Sequence, residues 1–300
     1  MNELLKKSLK INNTRALYRC VPTISARFWA IFDSQKKTFV HGHREYIKRE
    51  CASLTKMMTA LTVVRLCRRF KLNLNSETIK ISGVASNIRG TTANLRKNDV
   101  LSIEQLLYGM MLPSGNDAAF ALASHFGNLI FQKYNYTEKD IENISSFQFN
   151  YHPYFVKYFL KEMNVQAEKI GLASTNFDSP HGLQNVQNLS TAYDMCKLAH
   201  AMMQEPVLKR ISATAEYQCE PIINAHDVAK EENNSGLPDE KYVSPRKTKA
   251  KKENEEEIKA TYIWENTNKL LGVPGFVGCK TGITPAAGPC LAAAYENKGH

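Results

Sequence analysis

"ECASLTKMMTAL" (residues 50–61) is the stretch on which the reading of this chain turns. Ser53 and Lys56 stand three positions apart at the start of a run in which Leu54, Met57, Met58, Leu61, Val64 and Leu66 recur at the helical period. Residues i and i+3 of a helix are surface neighbours, so the lysine can reach the serine. A lysine beside core-facing residues is costly unless its charge is solvated, paired or lost. The pair is therefore a solvated surface accident or a nucleophile with its base. Ser-x-x-Lys recurs by chance in chains of this length, so the answer has to come from elsewhere in the sequence.

Two further stretches bear on it. In "LPSGNDAA" (112–119), Ser114, Gly115 and Asn116 form a turn between two apolar helical runs, "SIEQLLYGMML" (102–112) and "AAFALASHFGNLIF" (118–131). Ser102 is placed to cap the first run. Polar side chains in such surroundings must find partners. In "GCKTGIT" (278–284), Lys280 lies in a strand expected to be buried, and Gly282 leaves room for a close approach. Lys-Thr-Gly alone is more often a surface turn.

Around these stretches, "SARFWAIFDSQKKTFVHGH" (25–43) reads as two strands joined at Ser34–Lys36. "LNSETIKISG" (74–83) is a connection with a strand-like piece. "YFVKYFLKEMNVQAEKIGL" (154–172) is amphipathic with Gly171 at its end, and "STAYDMCKLAHAMM" (190–203) is a helix capped by Ser190 or Thr191. "ATYIW" (260–264) is strand-like, and the segment from Gly275 reads as strand, turn and strand. Strands, then helices, then strands predict an α+β fold: an antiparallel sheet whose first and last strands are neighbours, with helices packed on it. Residues 134–154 read as a polar, aromatic-rich insertion, and 222–259 as a charged, low-complexity, disordered one.

The chain has 300 residues and a net charge of +10, long enough for a sizeable core. Its basic residues are scattered rather than striped, which argues against nucleic acid. No apolar run of 18 residues predicts a transmembrane helix, and the N-terminus lacks a signal-peptide core. Seven irregularly spaced cysteines favour reduced thiols over a disulfide framework and point weakly to a reducing compartment. No metal-binding spacing appears, and no cofactor is expected.

Ser-x-x-Lys, then Ser-x-Asn, then Lys-Thr-Gly, in this order, is a strong signal where each alone is weak. Together with "ASLTKMMTA", "LLYGMMLPSGNDAA", "MNVQAEKIGL", "STNF", "PHGL", "STAYDM", "NTNKLL" and "CKTGITPAAGPCLAAA", it makes the chain resemble the serine D-alanyl-D-alanine carboxypeptidases from about Pro22 onward. These are low-molecular-mass penicillin-binding proteins of β-lactamase/transpeptidase-like fold. The resemblance implies a sheet with helices on both faces and an all-helical subdomain. It implies a catalytic domain over 22–300 after an extension at 1–21. It also implies that the final sheet strand, which would follow "ENKGH" (296–300), is missing, so that the first strand and the strand at about 290–295 border a gap one strand wide.

The resemblance assigns roles as well. Ser53 becomes the nucleophile and Lys56 its base, kept neutral by burial and by a second lysine, Lys280, aimed at the same cavity. Ser114 relays a proton to the leaving group and Asn116 binds the substrate amide. Lys280 and Thr281 hold the substrate's terminal carboxylate. The N–H groups of Ser53 and Ile283 form the oxyanion hole, and Gly282 admits the substrate. The implied partners are peptides ending in D-Ala-D-Ala, with β-lactams as inhibitors. Ile283 departs from the polar or aromatic residue frequent at its position. His181 of "PHGL", the "NTNKLL" segment and the cysteines beside the motifs read as structural. Two alternatives stay open: a related β-lactamase or esterase, although no glutamate-based water-activating loop is evident, and a degenerate non-catalytic relative. The bacterial family works outside the cytoplasm, which leaves the localisation of this chain open.

Overall fold

The computed structural model describes residues 24–134, 154–183, 185–223 and 261–296. The reading of 1–21 as an extension falls outside them, as does that of 222–259 as a disordered loop except for Ile222 and Ile223, which exchange backbone hydrogen bonds with Val100, and so does 135–153, nearly all of the first insertion. Ten short strands and seven α-helices alternate along the described chain. The hairpin of β1 (Trp29–Asp33) and β2 (Thr38–His43) is antiparallel, with a bulge at Ile31/Phe32. β3 (Arg49–Glu50) leads into a 3₁₀ turn, Ala52–Leu54, and then α1 (Thr55–Phe70). β4 (Thr78–Lys80), α2 (Gly83–Ser86) and β5 (Val100–Ser102) precede α3 (Ile103–Met111) and α4 (Asn116–Tyr134). α5 (Val156–Lys169), β6 (Leu189–Ser190), α6 (Ala192–Met203) and α7 (Pro206–Ala213) follow. β7 (Glu216–Cys219), β8 (Tyr262–Glu265), β9 (Phe276–Thr284) and β10 (Gly288–Tyr295) complete the chain.

Local chemistry explains the boundaries. α3 starts where Ser102 accepts from the N–H of Gln105 while the Gln105 side chain accepts from the N–H of Ser102, a capping box that satisfies two otherwise orphaned donors. α6 is capped by Thr191, which accepts from the N–H of Asp194; Ser190, the other candidate, lies in β6 and bonds Thr175 instead. α5 ends at Gly171, whose φ of +71° glycine adopts without strain. α1, α3, α4 and α5 pack on one another around Met57, Met58, Leu61, Leu106, Leu107, Phe126 and Phe159, all withdrawn from solvent. They form the helical part of an α+β molecule.

The strands differ from the single sheet that the element order suggests. β1 is hydrogen-bonded to β2, β9 to β10, β3 to β6, β4 to β5 and β7 to β8, five separate antiparallel pairs among the described residues. The first and last strands are not joined by hydrogen bonds. α6 packs against both β1 and β10, and α7 lies on β9, so helices carry the link between the two hairpins. The six cysteines among the described residues are unpaired thiols. No helix among those residues is long and apolar enough to cross a membrane.

Candidate active site

The 3₁₀ turn before α1 is where the architecture converges. Ala52 carries a left-handed φ of +48°, uncommon for a residue with a Cβ, and it sets Ser53 on a tight corner ahead of the helix. The corner is held from two sides. From below, the 178–188 loop wraps it. Thr59 donates to the carbonyl of Pro180 (2.6 Å), and Asn188 donates to Thr55 Oγ1 (2.8 Å) while accepting from the N–H of Asp178 (3.0 Å). Gly182, at φ +78°, passes so close that a Cβ there would lie 1.9 Å from the Ala52 carbonyl oxygen. From the other side comes β9, where a Cβ on Gly282 would lie 2.8 Å from the Ser53 nitrogen. These two glycines are required by the close approach of backbone to the Ser53 corner.

Lys56 is wholly buried, and Ser53 is 9% exposed. Lys56 Nζ lies 2.9 Å from Ser53 Oγ, 2.7 Å from Asn116 Oδ1 and 2.8 Å from the His181 carbonyl oxygen. A neutral amine has two N–H bonds and one lone pair. With Asn116 and His181 accepting the two N–H bonds, the lone pair is left for the Ser53 hydroxyl. Burial holds Lys56 well below the ordinary lysine range, the charge of Lys280 lowers it further, and Asp117 pulls it partly back. The first turn of a helix, its positive end, is also a poor place for an ammonium. Lys280 is buried as well, and burial lowers it to about 7.

The Ser114–Asn116 turn is pinned just as closely. Ser114 adopts φ +66°, its carbonyl accepts from Thr91 Oγ1 (2.6 Å), and the Asn116 N–H donates to the Thr91 carbonyl (2.8 Å). Asn116 Nδ2 donates to the Arg89 carbonyl (2.8 Å), which fixes the amide with its oxygen toward Lys56. Asp117 gathers N–H groups of Ala93, Leu95 and Ala118 and the Thr92 hydroxyl, so the 91–95 loop is built around its carboxylate. Ser114 Oγ is buried and makes no hydrogen bond within the described structure.

The structure thus joins Ser53, Lys56 and Asn116 by hydrogen bonds and brings Lys280 and Gly282 against them. It does not bond Ser114 Oγ to either lysine. Lys280 Nζ donates to the Thr281 carbonyl (3.0 Å), and the Thr281 hydroxyl pairs with Thr267 at 2.6 Å. Ile283 turns its side chain outward, 67% exposed, which leaves only its backbone to act inward. The sequence reading missed the His181 carbonyl, Asp117 and Thr267. The first contributes only main chain, which no residue type announces. The other two lie inside or next to quoted stretches but were read as parts of the fold.

The arrangement is a buried serine–lysine pair at 2.9 Å with a second buried lysine, Lys280, close enough for its charge to act on the first. The family model described as "D-alanyl-D-alanine carboxypeptidase" matches residues 15–128 and 155–248. The chain is 29% identical over 282 residues to the D-alanyl-D-alanine carboxypeptidase of Streptomyces sp. (strain K15), covering 93% of this chain and 79% of that one. It is 26% identical over 247 residues to the D-alanyl-D-alanine carboxypeptidase DacF of Bacillus subtilis (strain 168), covering 82% of this chain but 47% of the relative, about half its length. The crystal structure of the Streptomyces K15 DD-transpeptidase superposes with a TM-score of 0.69 at 28% identity, covering 93% of this chain and 87% of that one.

Proposed function

Because the chain belongs to the D-alanyl-D-alanine carboxypeptidase family, we propose that it is a serine peptidase that removes the terminal D-alanine of D-Ala-D-Ala peptides through an acyl-enzyme on Ser53. Neutral Lys56 accepts the Ser53 proton as Oγ attacks the carbonyl of the penultimate residue. The oxyanion is met by the N–H groups of Ser53 and Ile283. The leaving amine takes a proton through Ser114 Oγ, whose hydrogen-bonding capacity is unspent in the free site. Lys280 and Thr281 hold the terminal carboxylate. A carboxylate beside Lys280 favours the ammonium, so a lysine near 7 in the free site becomes charged when substrate binds. Water then releases the acyl group. A β-lactam, an acylating agent with its own carboxylate, would follow the same course as far as the acyl-enzyme.

The observation that carries this reading is the Lys56 constellation, a fully buried lysine 2.9 Å from a serine with both other N–H directions occupied. The test is release of free D-alanine from an N-acylated peptide ending in D-Ala-D-Ala. The expected result is release by the unaltered chain and none by Ser53→Ala. Equal release by the alanine variant contradicts the reading.

A further inference from the structure

We infer that Thr267 is a positioning residue for the carboxylate end of the substrate: its hydroxyl orders that of Thr281 and ties the strand carrying Lys280 to the Ser114–Asn116 turn. The inference rests on the reading above, in which Thr281 meets the terminal carboxylate.

Thr267 lies between β8 and β9, in the "NTNKLL" segment that the sequence suggested was only part of the fold. Its Oγ1 stands 2.6 Å from Thr281 Oγ1 and donates to the Leu112 carbonyl at 3.3 Å. Its N–H donates to the same carbonyl at 3.1 Å, and Leu112 lies two residues before Ser114. One residue therefore touches the Lys280–Gly282 motif and the chain two residues ahead of the Ser114–Asn116 motif. Its neighbours hold it there. Asn266 Nδ2 donates to the Ser212 and Thr214 carbonyls (3.2 and 2.9 Å), and Asn266 Oδ1 accepts from the N–H of Asn268 (3.0 Å). Asn268 is 3% exposed and accepts from the N–H of Leu270 (3.2 Å).

The argument is one of proton supply. Each threonine hydroxyl has a single proton. While Thr267 gives its proton to Leu112, Thr281 must donate toward Thr267 to close the 2.6 Å contact, so the Thr281 proton faces away from the substrate. A carboxylate only accepts hydrogen bonds. To bind it, Thr281 must turn its proton outward, and the 2.6 Å contact survives only if Thr267 swings its own proton from Leu112 to Thr281 Oγ1. The exchange gives up a 3.3 Å bond, and Leu112 keeps the Thr267 N–H. Donation into Thr281 Oγ1 also polarises its O–H toward the anion. A valine at 267 keeps the shape but leaves Thr281 without this donor.

The experiment measures kcat and KM for an N-acylated D-Ala-D-Ala peptide, together with the competitive inhibition constant of the same peptide amidated at its C-terminus. Thr267→Val should lower kcat/KM by up to about tenfold, the upper end of the net worth of a neutral hydrogen bond, with the loss carried by KM. The inhibition constant of the uncharged amide should not change, and Thr267→Ser should restore the KM. Parallel losses for acid and amide would mark a merely structural role and overturn the inference, as would an unchanged KM in the valine variant. Absence of D-alanine release by the unaltered chain overturns the functional reading and the inference with it. Normal release with an indifferent valine variant overturns the inference alone.

Discussion

In the proposed function, Lys56 and Lys280 are two identical side chains given opposite duties by their surroundings. Lys56 sits in the first turn of α1 with two acceptors and the Ser53 hydroxyl around it, and burial disfavours its charge before any neighbour acts. Lys280 sits on an extended strand, where burial brings it to about 7, and a carboxylate bound as proposed would restore the charge. Arginine cannot serve as a neutral base, so Lys56→Arg should lower the rate of acylation by roughly 10²- to 10⁴-fold. Lys280→Arg keeps an attractive cation and should be the milder change. A stopped-flow comparison of acylation rates decides it, and a larger loss in the Lys280 variant would reverse the two roles. The rate of acylation should also fall as pH drops and Lys56 becomes protonated, while carboxylate affinity should weaken as pH rises past about 7 and Lys280 loses its proton. These limbs can be read separately from kcat and KM.

At the scale of elements, the Ser53 corner depends on backbones brought closer than side chains permit. Gly282 has an ordinary backbone conformation, so alanine there meets no φ penalty; its Cβ meets the Ser53 nitrogen at 2.8 Å instead. Gly282→Ala should therefore displace the corner from β9 and cost roughly 10²-fold in acylation, the range for an ångström of misplacement, with little change in the melting temperature. Full acylation by that variant would show that the corner gives way freely. The elements themselves were legible where local chemistry is strong. Periodicity located α1, Ser102 announced α3, and Gly171 marked the end of α5. α7 and β7 were not read from the sequence. They are short, and what holds them is distant in sequence: Arg210 donates to Glu104 and to Tyr108, and the Tyr108 and Tyr217 rings stack at 3.7 Å.

For the molecule as a whole, the motif residues were legible because their order and spacing are chemical signatures, and Ser53, Lys56, Asn116, Lys280 and Gly282 do come together. The pairing of strands was less so. Element order predicts one sheet, whereas packing of α6 between β1 and β10 leaves hairpins that hydrogen bonds do not connect among the described residues. Order along a chain does not encode which edge meets which. The site also burdens the fold. An unfolded chain keeps Lys280 protonated to about 10.4, and the folded chain releases that proton near 7, so the unfolded state binds more protons between these values and stability rises with pH across the window. Lys280→Met should accordingly melt higher than the unaltered chain at pH 7 and lose that advantage toward pH 10. A variant that melts lower at pH 7 would contradict this. The central claim, that Ser53 is the nucleophile Lys56 activates, is tested most directly by incubating the chain with a fluorescent penicillin and locating the label by peptide mass spectrometry. The account predicts one stable adduct, on the peptide containing Ser53, absent from Ser53→Ala and strongly slowed in Lys56→Arg. A label on any other residue, or one that persists undiminished in Ser53→Ala, would contradict it.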